Sequence, residues 1–395
     1  MNQLWFTEKD IRRRWSEVKR FFWEELEHQA RHAQKRFLEE VLKIEREEQL
    51  GAGWHRRSGG RRDQGNGFYL RDLVTSLGVI SGLMVPRSRR GVYRSQVLER
   101  YRRRAPDFDR WVQEAFVLGL STRRASRLVK ELLGVAVLSP SSVSQLLKTL
   151  RCECLEYQRR PLADRYRFLF LDGFCVNIRG AVRRPYTLLF ALGITITGEK
   201  EILGFVAVPS EKAIHTQAFL EDLRQRGLKG QKLELIVHDG ASGLAEASAW
   251  VFPRVPRQNC SVHKLRNLSG HIQDHAHRKA LMRDARSIYK APNLTTAVLR
   301  AQRFQQRWAP LEPRAVQLFM RNLDGTLIFY HFPRRWWKTL KSTNPLERTL
   351  RELRRRARLV DSFRDQISCH TIIYGVIKNL NLIPGGAPNA ITQQS

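Results

Sequence analysis

The sequence predicts an α/β protein whose strand-rich centre is flanked by basic helical regions. Three observations lead there. Apolar, β-prone runs occupy Arg167 to Ile178, Tyr186 to Ile194, Glu201 to Val208 and Leu233 to His238. Helix-periodic, highly charged segments stand before and after them. Arginine is in excess along much of the chain: 70 Lys and Arg against 38 Asp and Glu leave a net charge of +32. Such a surface repels itself unless a polyanion neutralises it, so nucleic acid is the expected partner.

The remaining composition narrows the class. A chain of 395 residues that is 42% hydrophobic can bury a sizeable core in two or three domains and is not a disordered tail. It contains no run of about 18 apolar residues, and its start (Glu8, Asp10, Arg12, Arg13, Arg14) has no signal-peptide core. A soluble, intracellular protein with no membrane partner is expected. The five cysteines are scattered and form no CxxC pair, which excludes a disulfide framework and a zinc ribbon.

From the start, residues 1–50 carry Ile11, Trp15, Val18, Phe22 and Leu26 at three- and four-residue steps, the pattern of an amphipathic helix that docks internally or pairs with a second subunit. Residues 51–67, rich in Gly and Arg, read as a linker and a boundary. Residues 68–160 read as a helical DNA-binding region, with nine arginines against three acids between Arg87 and Arg110. Helices are predicted at about 108–118 and 122–133, and another from Ser139-Pro140, an N-cap followed by an N1 proline. In Leu118-Gly119-Leu120-Ser121 a glycine closes one helix and a serine caps the next, the punctuation of a helix-turn-helix or of an ordinary helical hairpin. Arg87, Arg89, Arg90, Arg123, Arg124 and Arg127 are the expected DNA contacts of this region.

From Tyr166 the texture changes to three strands joined as an antiparallel meander. A helix around Thr216 to Arg226 follows, then a buried strand over Leu233 to His238. The order β-β-β-α-β fills residues 161–260. Residues 261–335 read as mainly helical and basic, residues 336–385 contain the last long helix from Asn344-Pro345, and 386–395 form a tail.

Three acids stand where burial would disfavour a charge. Asp172 follows Phe168-Leu169-Phe170-Leu171 and shares a strand face with Phe168 and Phe170. Asp239 ends the run Leu233 to His238 and precedes a glycine, placing it at the carboxyl end of a strand; an Asp-Gly turn has the same sequence. Glu347 sits three residues after Asn344, where it also suits a capping box. Together they have the order of an RNase H-like core, which converges three acids on one crevice, and the gap from Asp239 to Glu347 is too long for a bare connection, so a helical insertion is expected there. Acids so gathered suit two Mg²⁺ ions, which activate a nucleophilic oxygen and stabilise a leaving one in phosphodiester transfer.

At these residues the chain resembles the bacterial mutator-type insertion-sequence transposases. The resembling segments are Leu171-Asp172-Gly173-Phe174-Cys175-Val176-Asn177-Ile178-Arg179, His238-Asp239-Gly240-Ala241-Ser242-Gly243-Leu244 and Ser342-Thr343-Asn344-Pro345-Leu346-Glu347-Arg348. Gln258-Asn259-Cys260-Ser261-Val262-His263-Lys264, Val85-Pro86-Arg87-Ser88-Arg89-Arg90-Gly91 and Gly119-Leu120-Ser121-Thr122-Arg123 add to it, so that it covers about residues 65 to 380. The resemblance implies that Asp172, Asp239 and Glu347 are a DDE triad holding two Mg²⁺, with Mn²⁺ as a substitute. It also implies recognition of terminal inverted repeats and target DNA, a homodimer or higher multimer, and work in the bacterial cytoplasm on the nucleoid.

Other residues fit less sharply. Cys260 and His263 have the spacing of half a zinc site without a second pair, and the resemblance makes them core-supporting. The helix of Glu347 has an apolar stripe (Leu346, Leu350, Leu353, Ala357) and a cationic remainder, from which Arg348, Arg351 and Arg355 are expected to touch DNA, a solvated charged face being the bland alternative. Trp336 and Trp337 stack on a base or fill the core. Two rival functions share these features: a non-catalytic DNA-binding protein on an RNase H-like scaffold, and a nuclease that hydrolyses without joining.

Overall fold

The computed structural model describes residues 8–13, 15, 19, 21–53, 59–99, 102–133, 138–179, 184–210, 212–360, 363–380 and 382; the side chains of residues 8, 10, 11, 348, 349, 356 and 358–360 are outside the description. The chain divides into two compact units, Met1–Phe116 with Leu120–Leu147, and Val117–Gly119 with Lys148–Ser395.

In the first unit a short helix α1 (Glu8–Arg13) precedes the long α2 (Phe22–Leu50). Of the expected N-terminal stripe, Val18 and the Ile11 side chain lie outside the described residues, while Trp15, Phe22 and Leu26 are exposed. The buried stripe comes later: Leu38 and Leu42 pack on Leu73, Ile80, Leu83 and Val85 of an antiparallel hairpin, β1 (Gly65–Thr75) and β2 (Gly78–Ser88), and Leu50 is buried at the end of the helix. Polar side chains strap the helix to the hairpin and to the segment after it, Lys35 donating to the Ser81 carbonyl (3.0 Å), Glu39 accepting from the Met84 N–H (3.0 Å) and Glu45 from the Gln96 N–H (3.0 Å).

This hairpin corrects the reading of residues 68–160 as helical. The expected linker is also no boundary. Residues 54–58 lie outside the described residues, but Gly51 ends α2 at φ 67°, Arg62 N–H bonds back to the Leu50 carbonyl, and buried Asp63 accepts from the N–H groups of Gln64 and Arg90. Helix and hairpin belong to one unit.

The predicted helices follow as α3 (Pro106–Val117), α4 (Thr122–Leu133) and α5 (Pro140–Arg159). Gly119 turns between the first two at φ 101°, a left-handed conformation that favours glycine, and Ser121 Oγ accepts from the Arg124 N–H at 3.2 Å. Phe108, Val112, Ala125, Val129, Val143 and Leu146 form their shared core.

The second unit is built on a five-stranded mixed sheet of order β5-β4-β3-β6-β7. Strands β3 (Tyr166–Ile178), β4 (Arg184–Thr195) and β5 (Lys200–Val208) form the antiparallel meander; after α6 (Ala213–Gln225), β6 (Leu235–His238) pairs parallel to β3, and after α7 (Ser242–Val251), β7 (Arg257–Asn259) pairs parallel to β6. The strand faces alternate in use. Leu169 and Leu171 face Leu220, Leu223, Leu244 and Ala247 of α6 and α7. Phe168, Phe174, Phe190 and Phe205 line the other face, with Phe168 5.0 Å from Trp336 and Phe174 stacked 5.9 Å from Phe190. Each such fully buried side chain contributes about 1.5–3 kcal/mol.

The stretch expected to be helical, 261–335, holds α8 (Ser261–Gly270), α9 (His275–Ile288), α10 (Leu294–Trp308), α11 (Pro313–Met320) and two 3₁₀ turns, and α12 (Arg334–Leu340) runs across its end. Buried Gln258 ties this segment to the sheet, its amide donating to the Thr326 carbonyl (2.7 Å) and accepting from the Phe329 N–H (2.9 Å). Helices α13 (Asn344–Val360) and α14 (Gln366–Asn379) complete the unit. The expected tail, 386–395, lies outside the described residues.

Candidate active site

Asp172 and Asp239 are brought together by strand register. Leu171 of β3 lies opposite His238 of β6 in a parallel pair, so the two next residues leave neighbouring strands side by side, where β6 ends and β3 runs on. Asp172 is 2% exposed; its Oδ1 accepts from the Gly173 N–H at 2.8 Å, while its Oδ2 is buried without a hydrogen-bond partner. Burial pushes this carboxyl up to about 6; the Gly173 N–H opposes the rise, Asp239 adds to it, and His263 and Arg354 pull it back. Asp239 is half-buried, its Oδ1 accepting from the Ala241 N–H at 2.9 Å across Gly240, which sits at φ 96°. His238 stays neutral below Asp239, held down to about 4 by burial, with Nδ1 accepting from the Gly240 N–H.

Cys260 and His263 flank this pair at the start of α8. Cys260 is buried, donates its N–H to the His238 carbonyl (2.7 Å), and accepts at Sγ from the N–H and hydroxyl of Thr343 (3.4 and 3.5 Å). Burial alone would raise the thiol, but His263 and the Thr343 donors outweigh it and the net shift is downward. Conversely Cys260 first, then Asp172 and Asp239, raise His263 against the cost of burial. His263 Nδ1 is buried, with no hydrogen-bond partner among the described residues. The ring thus stands beside two carboxylates that favour its protonated form.

The Cys260–Thr343 contact also seats the start of α13, the helix of Glu347. The Glu347 N–H donates to the Thr343 carbonyl at 2.9 Å, so Thr343 takes the N-cap position and Glu347 lies one residue deeper than the Asn344 capping box requires. Two turns on, Arg354 reaches β3 and donates to the Gly173 carbonyl at 3.1 Å. Positions 347 and 354 share a helix face, about 10 Å apart. Glu347 therefore stands on the face turned to β3 but does not close a cluster with the two aspartates: among the described residues no three His, Cys, Asp or Glu side chains are gathered closely enough to hold a metal ion.

The donor chemistry at Asp172 and Asp239 fits a hard divalent cation. A carboxylate oxygen stripped of water and left unbonded, beside a second carboxylate, is a costly arrangement that a cation relieves. Arg354 belongs to the cationic face expected of the Glu347 helix, but its bond to Gly173, like the contacts of Thr343 and Gln258, has no counterpart in the residue pattern. Only Arg354 had a local signal, its seven-residue spacing from Glu347.

The arginines singled out in sequence sort by exposure. Arg87, Arg89, Arg90, Arg123, Arg124 and Arg127 are all exposed in the first unit, the last three on the side of α4 away from buried Ala125 and Val129. Arg351 and Arg355 are exposed on α13, Arg355 engaged by Glu352 at 2.7 Å, and the Arg348 side chain lies outside the described residues. Trp336 packs on Phe168 and Trp337 donates Nε1 to the Phe332 carbonyl, so both serve the interior. All five cysteines are free. No described helix is long and apolar enough to cross a membrane.

Comparison with known proteins agrees with the motifs. The transposase Mutator family matches residues 12–382. The transposase for insertion sequence element ISRM5 of Rhizobium meliloti (strain 1021) is 33% identical over 337 residues, 85% of this chain and 83% of its own. That for IS406 of Burkholderia multivorans is 32% identical over 354 residues (89% and 90%), and that for IS256 in transposon Tn4001 of Staphylococcus aureus 30% identical over 354 (87% of each). A family match that runs through the paired aspartates, the Cys260–His263 element and the Glu347 helix leaves one conclusion: the chain belongs to the Mutator family of transposases.

Proposed function

We propose that the protein cuts DNA at the terminal inverted repeats of an insertion sequence and joins the freed 3′-hydroxyl ends to target DNA, using Asp172, Asp239 and Glu347 as a DDE triad. The observation that carries this reading is the buried, unbonded Oδ2 of Asp172, midway along β3, beside Asp239 at the carboxyl end of the parallel strand β6. The meander, crossover helix and parallel strand, followed by a helical stretch before Glu347, support an RNase H-like core interrupted by a helical insertion.

In this reading Asp172 and Asp239 would hold two Mg²⁺, or Mn²⁺, and Glu347 would complete the set from the start of α13. The ions would supply Lewis acidity at the scissile phosphate and a lowered pKa for the attacking oxygen. His263 stands beside the two carboxylates, which favour its protonated form, Cys260 holds Thr343 and so the Glu347 helix against the sheet, and Arg354 braces β3 at Gly173. The exposed arginines of the first unit grip flanking phosphates, two or more copies act on the paired ends, and the work takes place on DNA in the bacterial cytoplasm.

The test is incubation with labelled DNA bearing the element's own ends in Mg²⁺ or Mn²⁺, beside Glu347→Gln. Joined products from the wild type alone are expected. Nicks without joining would make it a nuclease, and tight binding without breakage in either metal would make it a DNA-binding scaffold.

A further inference from the structure

β6 accompanies β3 only from Phe168 to Leu171. Beyond Asp172 the edge of β3 on that side meets no strand among the described residues until Phe363, which donates its N–H to the Asn177 carbonyl (2.9 Å) and accepts from the Arg179 N–H (2.7 Å). Along this edge lies a cavity of about 390 Å³, whose lining includes Phe174, Cys175, Asn177, Arg354, Ala357 and Phe363. Its volume is at the lower end for small-ligand sites and suits one nucleotide. Phe174 is on the same strand face as Asp172, about 7 Å further on.

The lining pairs a cation with aromatic rings. The Arg354 guanidinium lies 5.3 Å from the Phe174 ring centroid and is fixed by the Gly173 carbonyl. That bond uses one of the five N–H donors of the planar fork, which leaves capacity for a phosphate, while its flat face and the rings suit a base. Phe174 is held from behind by Phe190, at an interplanar angle of 12°. Asn177 adds an amide able to donate and accept.

We infer that this cavity binds the nucleotide of the DNA strand next to the phosphodiester that reacts at the proposed site of Asp172 and Asp239, with Arg354 on its phosphate and its base against the Phe174 side. The inference rests on the proposed strand-cutting reading for what lies at the two aspartates. Continuity along β3 and the positive charge of Arg354 argue for a nucleic-acid strand over an apolar occupant.

Cys175, exposed and in the lining, reports on occupancy, and exposed Cys152 serves as an internal control. The full chain is alkylated with N-ethylmaleimide, with and without a short oligothymidylate whose binding is shown by anisotropy to be saturating, and labelling is read by mass spectrometry. Occupancy should slow Cys175 about tenfold, leave Cys152 unchanged, and lose most of its effect in Arg354→Gln. Asn177→Asp, which adds a negative charge to the same lining, should act alike and keeps the test open if Arg354→Gln does not fold. Cys175 labelled at its free rate under saturating oligonucleotide overturns the inference, as does equal protection in both variants. Protection together with failure of the joining assay would leave this subsite standing and remove the transfer chemistry; joining without protection would do the reverse.

Discussion

Two regions of the second unit each bury a carboxylate, and they treat it in opposite ways. In the helical segment Glu312, 2% exposed, accepts from the N–H groups of Gln273 and Asp274 at 2.9 Å each and adjoins His277 at 3.3 Å, and these partners hold it below the usual carboxylate range. On the sheet Asp172, equally buried, has one oxygen bonded and one unbonded, and is pushed up to about 6. The first is a clamp between the start of α9 and that of α11. The second is a charge kept at a cost, which is how a group with work to do differs from a structural one.

The sharpest break of that comparison is chemical. Asp172→Asn should lower strand joining at least about 10³-fold, about 4 kcal/mol in the barrier, while duplex binding stays within twofold in a gel-shift assay; full joining by this variant would remove Asp172 from the triad. Next, Glu312→Ala removes the charged acceptor shared by the Gln273 and Asp274 N–H groups and should cost about 2–4 kcal/mol in urea unfolding, with or without divalent metal.

A smaller effect has the opposite sign. Because the Asp172 pKa of about 6 lies above its ordinary 3.8, its protonated form stabilises the metal-free fold fully below pH 4, and that contribution is lost as pH rises through 6. Asp172→Asn should therefore be more stable than wild type by about 1–3 kcal/mol at pH 8 and equal to it near pH 4, by thermal unfolding in EDTA. Mg²⁺ should raise the wild-type melting temperature at pH 8 and leave this variant unmoved. Smallest of all, Arg124→Ala should reduce the salt slope of DNA binding by about 0.9 log unit per log salt with joining chemistry intact; an unchanged slope would make Arg124 a solvated surface charge.

Much of this arrangement is readable along the chain, and the exceptions have identifiable causes. Strands β3 to β6 and helices α3 to α7 follow from apolar period and capping signals. The β1–β2 hairpin escaped notice because its alternation is interrupted: the register shifts between Arg71 and Leu73, Leu70 and Met84 point outward, and the covering helix comes from residues before it. The N-terminal stripe lies further along than spacing predicts, since Phe22 and Leu26 have helical spacing but Leu38 and Leu42 have the partner. Thr343 displaced Asn344 as the cap because Cys260, far away in sequence, receives both of its donors.

Local sequence determined that one acid would stand within an apolar strand and another would end one, because the interior tolerates a carboxylate only where it has a purpose or where the strand stops. It also determined the basic surface, which is a matter of counting charges. Only the tertiary structure decided that Asp172 keeps a bare oxygen while Glu312 does not, that Arg354 roofs the open edge of β3, and that Glu347 stands two turns from that contact. Desolvation and hydrogen bonding depend on which groups distant in the chain arrive at a carboxylate, and residue spacing carries no record of those arrivals.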